Sequence, residues 1–84
     1  MRLSFVKYDE DGTPENYWNP PPKTGDYVAE CELGSRYATE LVREMAESKR
    51  PFMLIWVANA IARSGRDTGV EIGFWQEIAA RAAP

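Results

Sequence analysis

The sequence predicts a mainly α, α+β domain in which a short N-terminal β-hairpin precedes three helices. Three observations carry this. Tyr27, Cys31, Gly34, Ala38, Leu41 and Met45 recur at steps of four and three, which puts all six on one side of an α-helix. Residues 52–62 are apolar nearly all round, with Asn59 the exception, as expected of a buried helix. Thr68-Gly69-Val70-Glu71 has the spacing of a capping box that opens a third helix.

With 84 residues the chain is sized for one domain, 1–84. It divides into a β-hairpin over 1–18, a proline-rich connector over 19–25 and three helices over 26–84. Residues 2–8 alternate, with Leu3 and Phe5 on one side and Arg2, Ser4 and Val6 on the other, which predicts a strand. Asp9-Glu10-Asp11-Gly12 reads as a turn, and residues 16–18 as a return strand kept at an edge by Pro14. Pro20, Pro21 and Pro22 impose an extended connector without Pro-x-x-Pro spacing.

Thr24 or Asp26 is expected to cap the first helix. Val28, Ser35 and Val42 flank its apolar stripe, and Glu32, Arg36, Glu40, Arg43 and Glu47 fall opposite. Gly34 lies mid-helix, at a cost of about 1 kcal/mol relative to alanine, which signals a close approach by another element. Cys31, on the same stripe, is expected to be buried and to behave as a small hydrophobe. Pro51 suits the first turn of the second helix. Leu54, Val57, Ala58 and Ile61 form that helix's most uniform face, Gly65 ends it, and its apolar circumference predicts a central position. In the third helix Val70, Phe74 and Ile78, with Ile72, Trp75 and Ala79, make a broad apolar arc; Gln76, Glu77 and Arg81 face out, and residues 79–84 are expected to fray.

Thirteen acidic residues against ten basic ones, for a net charge of -3, argue against a protein that coats nucleic acid. With no histidine and one cysteine, the sequence offers no Ser–His triad, Cys–His pair, histidine metal site or intrachain disulfide. The lone Cys31 fits a reducing, cytoplasmic setting. Residues 1–6 are too short an apolar run for a signal peptide, and residues 51–58 fall far below the ~20 needed to span a bilayer. No membrane partner is expected.

Glu71 reads as the capping-box carboxylate. Asp9, Glu10, Asp11 and Glu15 lack the ligand spacing of a calcium loop and read as a solvated turn. Arg63, Arg66 and Arg81 suit helix-end charges better than an anion site at the start of the third helix. No set of residues supplies an acid, a base and a substrate pocket, so a non-enzyme without cofactor or metal is expected. One line on the second helix stands apart: Phe52, Trp56, Asn59 and Arg63, at spacings of four, three and four, run opposite the Leu54–Ile61 face. These residue types are enriched where proteins bind one another. The competing account is that the first helix or the hairpin covers the line and makes Trp56 core. The expected contact residues are Phe52, Trp56, Asn59 and Arg63, with Asp9, Asp11 and Glu30 from the acidic segments 9–15 and 30–32.

Gly25-Asp26-Tyr27, Cys31, Gly34 and Gly69-Val70-Glu71-Ile72-Gly73-Phe74 resemble short reading frames of phages and bacterial mobile elements, the setting of small anti-CRISPR proteins. The resemblance spans most of the chain, but its motifs are glycines, a cap and apolar positions, so no functional residue carries over. It implies a class: a small protein that binds a larger machine. The expected function is therefore a non-catalytic binding protein that inhibits a nucleic-acid-processing complex such as a CRISPR effector. One alternative is a helix-turn-helix DNA-binding regulator, since a short glycine-bearing turn joins helices two and three. Glu71, Gln76, Glu77 and Arg81 are a poor set for reading a groove. The other alternative is a structural homo-oligomer.

Overall fold

The computed structural model describes residues 3–83. Its elements are β1 (Lys7–Tyr8), β2 (Pro14–Asn16), α1 (Tyr27–Ser48), α2 (Met53–Ser64) and α3 (Gly69–Ala82), which is the predicted three-helix domain with a short antiparallel hairpin.

The hairpin pairs Lys7 with Asn16 and Tyr8 with Pro14, with an irregularity between the two pairs. Asp9 closes its turn: the Asp9 amide donates to the Thr13 carbonyl at 2.9 Å, and the Asp9 carboxylate accepts from the Asp11 and Thr13 amides. Gly12 supplies the positive φ of 82° that the turn requires. The strand predicted over 2–8 is shorter than expected. Residues 3–6 form a turn, in which the Val6 amide donates to the Leu3 carbonyl at 3.2 Å, and Arg2 lies outside the described residues. A strand sends consecutive side chains to opposite faces, whereas this turn brings Leu3, Phe5 and Val6 all into the core. The return strand is likewise displaced to Pro14–Asn16, leaving Tyr17 and Trp18 beyond it.

α1 starts at an Asp26 cap, whose carboxylate accepts from the Ala29 amide at 3.1 Å. Its buried residues are Glu30, Gly34, Tyr37, Ala38 and Leu41. The predicted stripe is thus rotated. Tyr27 is 55% exposed and Cys31 only half-buried. The cause is that α3 meets the start of α1 through backbone, at the Tyr27 carbonyl, which leaves the Tyr27 side chain outside.

α1 and α3 form the tightest contact in the molecule. A Cβ on Gly34 would fall on the Val70 carbonyl, and one on Gly73 on the Cys31 carbonyl; Gly69 lies against Glu30 and the Tyr27 carbonyl. Further along, the Ser35 hydroxyl donates to Glu77 at 2.8 Å and Arg81 donates to the Thr39 hydroxyl at 3.1 Å. Contacts advance together along both helices, so α1 and α3 run parallel with their N-termini side by side. α2 therefore makes the return path.

α2 is not central, contrary to the expectation from its apolar circumference. Only Met53, Val57, Ala60 and Ile61 are buried, with Leu54 and Ala58 half-buried. The N-terminal segment takes the central place instead. Phe5, Trp18, Tyr37 and Phe74 interlock, with centroids 5.3 Å apart for Phe5–Trp18, 5.2 Å for Phe5–Tyr37 and 5.0 Å for Trp18–Phe74. α3 also buries a narrower arc than predicted, since Ile72 and Trp75 are exposed, and it continues to Ala82 rather than fraying from Ala79. Among the described residues no helix is long and apolar enough to cross a membrane.

Candidate functional site

The outer face of α2 carries the predicted line. Phe52 is 46% and Trp56 37% exposed, and Asn59 and Arg63 are also exposed. Ile55, which the four-three-four spacing passed over, is 61% exposed and belongs to the same face. Burial of Met53, Val57, Ala60 and Ile61 fixes the phase of the helix and turns this set outward. The exposed aromatics do not stand free. The Phe52 and Trp56 rings meet edge to face at 5.0 Å, as side chains four apart on a helix do. Tyr17, just past the hairpin, also packs on Trp56, with centroids 5.6 Å apart. The hairpin thus braces Trp56 without covering it.

The acidic residues named from the sequence lie elsewhere in the architecture. Asp9 caps its own turn, Asp11 is exposed, and Glu15 pairs with Lys7 at 3.8 Å across the hairpin. Glu30 is a correction: it is 5% exposed and works inside the fold. One carboxylate oxygen accepts from the Thr24 amide (2.7 Å), the Thr24 hydroxyl (3.0 Å) and the Gly25 amide (3.2 Å); the other accepts from the Gly69 amide (3.1 Å). It ties the connector to the first residue of α3. The Thr24 amide leads the interactions that hold its carboxyl below the ordinary value of 4.5, against the opposing pull of burial. Cavities of about 220 and 260 Å³ flank Glu30, the first lined by Pro21, Leu33, Arg36 and Val70, the second by Lys23, Tyr27 and Asp67. With four donors already on its carboxylate, Glu30 has little capacity left for a ligand.

Glu71 closes the capping box, accepting from the Thr68 amide at 2.8 Å, and it does more than the sequence shows. Its second oxygen accepts from the Trp18 indole N–H at 2.8 Å and the Arg66 Nε at 2.9 Å. Burial pushes this carboxyl up; the bonds from Thr68 and Trp18 and the Arg66 charge outweigh it, and the net shift is downward. Arg66 also donates to the carbonyls of Pro20 (3.3 Å) and Pro21 (2.9 Å), fixing the connector. Arg81 pairs with Glu77 at 2.9 Å, so Arg63, Arg66 and Arg81 do not converge on one anion site. Among the described residues no group of three His, Cys, Asp or Glu side chains could hold a metal ion, and no buried side-chain polar atom lacks a partner.

No protein-family model, curated protein or solved structure matches this chain.

Proposed function

We propose that this protein is a non-catalytic binding module that engages a protein partner through the outer face of α2. The observation that supports this is the Phe52–Trp56–Tyr17 cluster, part-exposed yet with the indole held by two neighbouring rings. An aromatic held in place before binding loses little freedom on association, and removing its ring from water contributes most of the affinity at such sites. Asn59 and Arg63 add directional polar contacts beside it.

The finer reading is that the partner is a larger nucleic-acid-processing complex, such as a CRISPR effector, which this protein inhibits. It rests on the sequence resemblance and on the small, acidic character of the chain. The test is to add the purified protein to candidate effector complexes and follow nucleic-acid cleavage. Inhibition by the wild type, lost in Trp56→Ala with its fold intact, is the expected result. Equal inhibition by both would remove α2 from the account.

Self-association is the second reading, and one observation favours it: α3 exposes Ile72 and Trp75 one turn apart. Light scattering on the purified protein, with Trp75→Glu alongside, decides it.

A further inference from the structure

We propose that the segment docking on α2 is acidic: an amphipathic stretch of the partner whose apolar residues are flanked at both ends by Asp or Glu. This rests on α2 being the docking face and adds the chemistry of what docks there.

The charge pattern supplies the reason. The chain is acidic overall, yet between Glu47 and Asp67 every charged residue is basic: Lys49, Arg50, Arg63 and Arg66. Arg66 is committed to Glu71 and to the connector carbonyls. The other three are exposed, and their side chains make no ion pair or hydrogen bond among the described residues. They stand at the two ends of the aromatic face. Lys49 and Arg50 precede Phe52, and Arg63 lies one turn beyond Asn59. At 1.5 Å per residue the face from Phe52 to Arg63 is roughly 16 Å long. A partner segment that buries apolar side chains over Phe52, Ile55 and Trp56 therefore meets positive charge at each end, roughly 16 Å apart, and no negative charge on α2 itself.

A polyanionic surface fits the same patch less well. A nucleic-acid backbone or an anionic lipid sheet extends well past a face this short. It would then meet the rest of the chain, where thirteen acidic residues outnumber the six remaining basic ones. A short acidic segment touches the basic face alone.

The test is selection from a displayed library of random peptides against the full chain. Recovered peptides are expected to carry Leu, Ile, Phe or Trp flanked by Asp or Glu and to bind more weakly as salt rises. Their affinity should fall about tenfold or more against Trp56→Ala. Ile55→Asp serves the same purpose if Trp56→Ala fails to fold, because Ile55 is 61% exposed. The same selection against an Arg50→Glu, Arg63→Glu double variant should lose the acidic enrichment. Peptides that depend on Trp56 but carry no acidic enrichment would overturn the acidic partner and leave the α2 docking face standing. Recovery of no peptide, or of peptides indifferent to both Trp56 and Ile55, would overturn both. Trp56-dependent binding of single-stranded DNA or of phosphatidylserine vesicles would overturn the acidic segment in favour of a polyanion.

Discussion

The Gly34 Cα packs against the Val70 carbonyl so closely that no side chain fits between α1 and α3. Phe74's amide closes the same gap from the next turn. Alanine at position 34 would favour the helix locally by about 1 kcal/mol. It would also press a methyl group into backbone atoms that cannot rotate away, and overpacking of this kind costs ~1–3 kcal/mol or more. The clash should win, so Gly34→Ala is predicted to lower stability and Gly34→Leu to lower it further. Gly73→Ala should do the same against the Cys31 carbonyl. Once the helices part for one methyl they have parted for the other, so the double variant should lose less than the sum. Urea denaturation of these four variants measures this; a more stable Gly34→Ala would mean that the helices do not touch there.

Glu71 links the α3 cap to the core, and its substitution should cost more than a cap alone. Thr68→Ala removes a capping side chain, worth about 1 kcal/mol. Glu71→Ala in addition leaves the buried Trp18 N–H without an acceptor and Arg66 without its carboxylate, and about 3 kcal/mol is expected. A double-mutant cycle between Glu71→Ala and Trp18→Phe should show coupling, because phenylalanine has no N–H to strand. Additive losses would place the Glu71 contribution in the cap only.

Both buried carboxyls are held below their ordinary value of 4.5, which fixes the sign of an acid effect. A depressed carboxyl contributes stability that is complete above its unfolded value and is lost as pH falls through its folded value. The melting temperature should therefore hold steady from neutral pH to about 4.5, since no histidine titrates in that range, and fall below it. Glu30→Gln and Glu71→Gln should each lower the plateau and flatten the acid limb. A Glu30→Gln variant with an unchanged acid limb would show that Thr24 and Gly69 do not depend on that charge.

Local signals in this sequence were legible because they are complete within a few residues. Thr68 and Glu71 make their box three positions apart, Gly34 interrupts an otherwise regular stripe, and Phe52, Trp56, Asn59 and Arg63 share a face by helical period alone. What failed depended on distant partners. Residues 2–8 alternate well enough to suggest a strand, but the core accepts Phe5 and Val6 together because a turn presents both. α2 is apolar enough to be central, yet Phe5 and Trp18 occupy the place beside Tyr37 and Phe74. Glu30 looked like a surface acid because its four donors come from Thr24, Gly25 and Gly69, and the last is thirty-nine positions away. A threonine-glycine pair just before the α1 cap was the one local hint that a carboxylate might fold back onto it.

The three tryptophans separate core from surface and give the α2 face its most direct test. Trp18 is 2% exposed, bonded to Glu71 and ringed by Phe5, Tyr37 and Phe74. Trp56 and Trp75 are each 37% exposed. Removing a core tryptophan costs ~3–5 kcal/mol, and Trp18→Ala should fall in that range. Trp56 leaves about a third of its surface in water, and its neighbours Tyr17 and Phe52 can close over the gap from the solvent side. Trp56→Ala should thus cost only about 1–2 kcal/mol. Acrylamide quenching reads the same difference without unfolding the protein. Trp56→Phe and Trp75→Phe should each remove quenchable emission, while Trp18→Phe should leave the quenchable part as it was. If Trp56→Ala were as damaging as Trp18→Ala, or if Trp56 emission resisted the quencher, the face would be closed in solution and could not receive a partner in the form described.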